Sequence, residues 1–175
     1  IEHGRRAAHG ELFFAQVNRR MPVTHGDTLI PLADIDYIVE YDEPLVVFHQ
    51  EEPDPEILEV GRNVARLVED GSTIQMGFGR IPDAAVRSLH LKRGLRIHSE
   101  IITDSIVELA AAGALASGTG TTECIAVTSS LCIGSENVFD YVHENRNVEL
   151  LDLSRISDPA RIPSLERIVA INGAK

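Results

Sequence analysis

A chain of 175 residues with 43% hydrophobic and 25% charged side chains has the length to bury one ordinary domain, or one domain and a piece of another, and its composition is neither disordered nor fibrous. Its formal charge of −11 argues against nucleic acid or an anionic membrane as the main partner, since neither attracts a net anion, but a small anionic ligand stays open because a loop of N–H groups binds phosphate even on an acidic protein. No apolar run approaches the roughly 20 residues of a membrane span, no signal-peptide pattern is read at the start, and two cysteines without CxxC spacing, Cys124 and Cys132, favour a reduced, cytoplasmic setting.

Ile1 to Arg6 lack a methionine and an evident cap, so the chain is expected to be a fragment of a longer protein. Residues up to His9 read as the last turns of a helix ending at Gly10. Leu12 to Val17 is a compact apolar run and predicts a buried strand. Turn chemistry follows from Asn18 to Pro22 and from Thr24 to Asp27, then β-rich residues from Ile35 to Tyr41 and an apolar run from Leu45 to Phe48. His49 to Pro55 is acidic, carries two prolines and reads as a linker. Beyond it Ile57, Val60, Val64, Leu67 and Val68 recur at three and four, which predicts an amphipathic helix stopping at Gly71. Helix and strand patterns then alternate. Strands are predicted at 73–76, 95–98, 123–128, 148–151 and 167–171, and helices from Pro82 to Leu89, after a capping box at Thr103 to Glu108, and from a Ser135 cap through Asn145. The stretches 114–122 and around Pro159 and Pro163 read as loops. Such alternation predicts an α/β fold with an open, mainly parallel sheet.

Two places carry chemistry. The strand at 73–76 runs into Gly77-Phe78-Gly79, whose glycines permit positive φ or close approach to a ligand. The strand at 95–98 delivers one carboxylate, Glu100, just past its end. In an open α/β sheet ligands bind outside the carboxyl ends of the strands, so both features point to one crevice. The third glycine of a GxGxxG fingerprint falls on Pro82, which disfavours a standard dinucleotide site, and neither GxxxxGK[ST] nor GxSxG occurs. The glycine loop alone is equally well a tight strand-to-helix turn without a ligand. Glu100 by itself is an ordinary solvated carboxylate, or, flanked by Ile97, Ile101 and Ile102, a partly desolvated nucleophile toward an acyl carbon. His98-Ser99-Glu100 has the HxE form of zinc deaminases but lacks their PCxxC. His25 and Asp27 have no third ligand placed by the sequence, so no metal site is expected.

Ile74 to Ala84 followed by Ile97 to Asp104, with Gln16-Val17-Asn18, Met21-Pro22, Thr24 to Asp27 and Ile171 to Ala174 in the same order, resembles the acetyl-CoA hydrolase/transferase family, in particular its 4-hydroxybutyrate and butyrate:acetate CoA-transferases. The resemblance implies a sheet of CoA-transferase type. Residues 1–48 would then be the C-terminal part of an N-terminal domain, 49–55 a linker, and 56–175 the first part of the catalytic domain, ending short of the family's later glycine-rich segments. It implies transfer of CoA between a short-chain acyl-CoA and a small carboxylate, with Glu100 as nucleophile, Gly77, Phe78, Gly79, Arg80 and Ile81 contacting CoA, and a homo-oligomer, a dimer. Coenzyme A enters as substrate, with no tightly bound cofactor. Arg80 departs from the small or polar residue often found there; it adds charge toward CoA or points to solvent. Two alternatives stand beside transfer: hydrolysis of acyl-CoA at the same glutamate, and a non-catalytic CoA-binding fragment.

Overall fold

In a computed structural model, which describes residues 12–117 and 125–173, the alternation beyond residue 55 becomes a five-stranded parallel sheet. β1 (Phe14–Val17) and β2 (Tyr37–Glu40) come first and pair with each other in parallel. Then follow α1 (Pro55–Leu67), β3 (Thr73–Met76), α2 (Arg80–Arg87), β4 (Arg96–His98), β5 (Ile101–Ile102), α3 (Asp104–Ala111), β6 (Val127–Ser129), β7 (Leu131–Cys132), α4 (Glu136–Val142), β8 (Val148–Leu150), α5 (Leu153–Ile156) and β9 (Ile168–Ile171). The main sheet has the order β8-β6-β4-β3-β9. From β3 the chain steps outward through β4 and β6 to β8, then returns to lay β9 on the other side of β3.

Side chains alternate across a strand, so the two faces of this sheet have different covers. Ile74, Met76 and Ile97 point into the main core with Val86 from α2, Leu89 just beyond it, Ile106 and Leu109 from α3, and Val138 and Val142 from α4. Most of these side chains are fully buried, each stabilising the fold by about 1.5–3 kcal/mol relative to exposure. Gln75 and His98 point to the opposite face, over which the return connection, with α5 and a short 3-10 turn at Ile162–Ser164, passes. Reversal of crossover direction demands this: right-handed connections moving opposite ways along a sheet lie on opposite faces.

Several local expectations hold. The helix expected from Ile57, Val60 and Val64 forms as α1, though it begins at Pro55, read in the sequence as linker, and ends at Leu67, short of Gly71. Ser135 caps α4, its Oγ accepting from the Asn137 N–H at 3.3 Å. Others are corrected. β1 is no buried strand: Phe14 is exposed and stacks on Tyr37 at 4.8 Å, because a lone two-stranded ladder has no layer to bury it. Residues 45–48 form no strand; the Phe48 N–H instead donates to the Gly134 carbonyl. The capping box is not made either. Thr103 is the N-cap without a side-chain cap bond, Ser105 lies inside α3, and Glu108 reaches across to Arg87. The loop around Pro159 and Pro163 contains α5 and the 3-10 turn, and α4 ends at Val142 rather than Asn145. The helix expected before Gly10, Cys124 and part of the expected loop at 114–122 lie outside the described residues. Residues 23–27 lie along the outer edge of the sheet: the Asp27 N–H donates to Leu150 C=O and the Leu150 N–H to His25 C=O, both at 2.8 Å. Among the described residues no helix is long and apolar enough to cross a membrane.

Candidate active site

β3 delivers Gly77 at its carboxyl end, between β4, to which the chain steps next, and β9, laid down by the return connection, and ligands of open α/β sheets bind outside the carboxyl ends of the strands where the strand order reverses. The Gly77 N–H is taken by the Ile171 carbonyl at 2.9 Å, so it continues the β3–β9 ladder. A Cβ on Gly77 would meet Asn172 Oδ1, so a larger residue there would require the Asn172 side chain to move. Gly79, at φ +140°, is the N-cap of α2, and its carbonyl accepts from the Asp83 N–H at 3.1 Å. Phe78 between them is exposed, its ring 5.8 Å from that of Phe48.

Glu100 sits at an interruption between two strand pairs. β4 pairs with β6 up to His98, the Ser130 and Leu131 N–H groups both donate to the Glu100 carbonyl at 3.2 and 3.1 Å, and pairing resumes as β5–β7. Local breaks in ladders re-aim side chains in this way. The buried Ser99 hydroxyl donates to the Met76 carbonyl at 2.8 Å and ties the end of β4 to the residue before Gly77. The result is one cavity of about 360 Å³, lined by Gly77 and Phe78 on one side, Glu100, Ile101 and Leu131 on another, and Asn172. Asn172 Nδ2 donates to Gln75 Oε1 at 3.3 Å.

Two expectations about these residues change. Glu100 is exposed, not desolvated by its neighbours: Ile97, Ile101 and Ile102 are buried in the sheet and leave the carboxylate outside. Its Oε1 accepts from the Ser157 hydroxyl at 3.2 Å. Ser157 is placed by the residue before it, whose carbonyl accepts from buried His98 Nε2 at 2.9 Å; since a carbonyl only accepts, the His98 proton is on Nε2. Arg80 does not reach the cavity. Its Nη2 donates to Asp54 Oδ2 at 2.9 Å, tying the first turn of α2 to the start of α1. Ile81 lies in that same turn, partly exposed. Of the expected loop residues, therefore, Gly77 and Phe78 line the cavity with Glu100, while Gly79, Arg80 and Ile81 begin α2.

The helix behind the turn is anchored by charge. Buried Asp83 accepts from Arg87 Nε at 2.8 Å, and Arg87 Nη1 reaches Glu108 on α3 at 3.2 Å. Burial works to lower the Arg87 pKa, but the adjacent carboxylates, Asp83 first, outweigh it and raise the pKa above its usual value. Gln75, Ser99, Ser157 and Asn172 were not singled out in the sequence as site residues. Ser99 and Asn172 lie inside stretches that carry the family resemblance, whereas nothing in the chain marks Ser157, 57 positions from Glu100. Among the described residues no group of three or more His, Cys, Asp or Glu is placed to hold a metal ion.

No protein-family model matches the chain. It is 36% identical over 166 residues to the 4-hydroxybutyrate coenzyme A transferase of Clostridium kluyveri, covering 95% of this chain and 39% of that protein. It is 33% identical to a succinyl-CoA:acetate/propanoyl-CoA:succinate CoA transferase of Fasciola hepatica, covering 90% of this chain and 33% of that one. Among solved structures, a 4-hydroxybutyrate CoA-transferase from Porphyromonas gingivalis superposes with a TM-score of 0.81 at 34% identity, covering 92% of this chain and 41% of the other. RipA from Yersinia pestis gives 0.86 at 26% identity, over 97% and 39%. The chain thus spans about two fifths of the length of the relatives it matches. By sequence and by fold, this chain is similar to CoA-transferases over nearly all of its own length.

Proposed function

We propose that the protein to which this chain belongs is a CoA-transferase, moving CoA between a short-chain acyl-CoA, such as 4-hydroxybutyryl-, butyryl- or acetyl-CoA, and a carboxylate such as acetate. The observation that carries the reading is the shared cavity: the Glu100 carboxylate and the Gly77–Phe78 turn face one space at the switch point of the sheet. Glu100 attacks the thioester carbonyl, expels CoA thiolate and forms an acyl-glutamyl anhydride. The thiolate then attacks the glutamyl carbonyl, releasing the donor carboxylate and leaving a glutamyl-CoA thioester. An acceptor carboxylate reverses both steps and leaves as its CoA ester. A carboxylate suits this chemistry because each covalent intermediate keeps the activation of a thioester, which a serine ester would lose. With the Gly77 N–H held by Ile171, the N–H groups of Phe78 and Gly79 are the candidates to receive oxyanion charge.

Within this reading residues 1–48 close an N-terminal CoA-transferase domain, 49–55 link it, and 56–175 begin the catalytic domain. Gly79, Arg80 and Ile81 contribute to CoA contact by shaping the turn. A cytoplasmic location follows from the sparse cysteines, and a dimer from the resemblance. The Clostridium kluyveri and Fasciola hepatica relatives and the Porphyromonas gingivalis structure are named CoA-transferases, which favours transfer over hydrolysis. The test is incubation with acetyl-CoA, borohydride reduction and peptide mass mapping, in this chain and in a protein of the relatives' length. Reduction at Glu100, absent from Glu100→Gln, is expected. Exchange that proceeds while Glu100 stays unmodified sinks the assignment.

A further inference from the structure

Behind Glu100, on the sheet face crossed by the return connection, lies a second cavity of about 130 Å³. Its walls are Ile156, Ile162, Ile168 and Ala170, with Ser157 beside Glu100 and His98 also lining it. Glu100 and Gln75 line this cavity and the larger one alike, so the two spaces flank the same glutamate. We propose that the smaller cavity receives the acyl chain of the thioester and admits linear, uncharged chains of about four carbons, on the scale of the roughly 150 Å³ apolar void that holds benzene.

This pocket rests on the transferase reading and on the shape of a thioester. The carbonyl carbon that Glu100 attacks carries sulfur on one side and the acyl chain on the other. These two substituents leave the carboxylate in different directions, and the structure offers two spaces there. The pantetheine arm is long and polar, and fits the larger cavity, where the Gly77–Phe78 turn and Asn172 supply hydrogen-bonding groups. The acyl chain then enters the smaller, aliphatic one. Among the described residues no lysine or arginine lines that cavity, and the His98 Nε2–H is committed to the Ile156 carbonyl. A second carboxylate, as in a succinyl group, would enter without a counter-charge, which is costly. The pocket therefore discriminates by charge as well as by length.

The test compares acetyl-, butyryl-, hexanoyl- and succinyl-CoA as donors to labelled acetate, in the full-length protein and in its Ala170→Leu and Ile162→Ala variants, each checked by thermal melting. Butyryl-CoA is expected to exceed both hexanoyl- and succinyl-CoA in kcat/KM. Ala170→Leu, which fills the space, is expected to lower the butyryl-to-acetyl ratio about tenfold, at roughly fourfold per methylene. Ile162→Ala is expected to raise the hexanoyl-to-butyryl ratio several-fold. Donor ratios unchanged in both variants, or a wild-type preference for succinyl-CoA, would overturn the pocket while borohydride labelling of Glu100 persists. Exchange without that labelling overturns the transferase reading itself, and the pocket with it.

Discussion

The hydroxyl of Ser157 is the protein group that holds Glu100 Oε1, at 3.2 Å. An exposed carboxylate samples several rotamers, and one hydrogen bond to a charged acceptor is worth about 1.5–3 kcal/mol when well made, less in water. In the proposed reaction Ser157 is therefore a positioning residue, selecting the rotamer from which Glu100 would attack. Ser157→Ala is expected to lower kcat several-fold with little change in KM for the acyl-CoA, and Ser157→Thr to restore most of it. Steady-state kinetics decides: a variant that lowers only the melting temperature, with kcat intact, would make Ser157 structural. Ser99 has a different task at the same site. Its buried hydroxyl satisfies the Met76 carbonyl and keeps the tips of β3 and β4 in register. The sequence exposed Glu100 as a candidate because its flanks are so aliphatic, yet those flanks have the opposite effect to the one expected. Alternation sends Ile97 and Ile101 into the sheet, and the carboxylate remains in water.

At the level of elements, the crossing of α1 and α2 sets where the glycine turn begins. Gly61 lets α1 approach so closely that a Cβ there would lie 2.5 Å from the Ala84 carbonyl oxygen and 2.7 Å from its carbon. Backbone atoms cannot swing aside as a side chain can, so the helices must separate. Gly61→Ala is expected to destabilise by about 1–3 kcal/mol through overpacking, more than the gain of up to about 1 kcal/mol from helix propensity. Urea unfolding measures the balance, and a stabilised variant would show that the crossing is looser than the structure has it. The helices were legible because hydrophobic period and turn residues agree: Ile57, Val60 and Val64 fall within α1, and Ser135 opens α4. The capping box at Ser105 misled because Thr103 and Ser105 both suit a cap. Their hydroxyls meet each other at 2.9 Å in the folded chain, and Glu108 is drawn away by Arg87.

Over the whole molecule, two groups make stability depend on alkaline pH. Burial pushes the Cys132 thiol up from 9.0 to about 12, and the Tyr141 phenol up from 10.0 to about 12. Both stay neutral in the folded chain at a pH where the unfolded chain has ionised them. Their contribution is complete below about pH 9, and is lost as pH rises toward 12. The urea midpoint is expected to fall steadily over that interval, and Tyr141→Phe to flatten its upper part. A midpoint with the same slope in the variant would remove Tyr141 from the account.

Read by itself, the chain determined the α/β class, the order of its main helices and strands, and the two stretches that meet at the site, because hydrophobic period and turn chemistry are local properties that survive without a partner. What only the tertiary structure decided was non-local. Parallel pairing placed β9 beside β3 and so brought Asn172 against Gly77. The return crossover carried Ser157 over the second face to Glu100 and closed a small cavity behind it. The same holds for β1, whose apolar residues promised burial: period describes which side chains could be covered, but only packing supplies the layer that covers them.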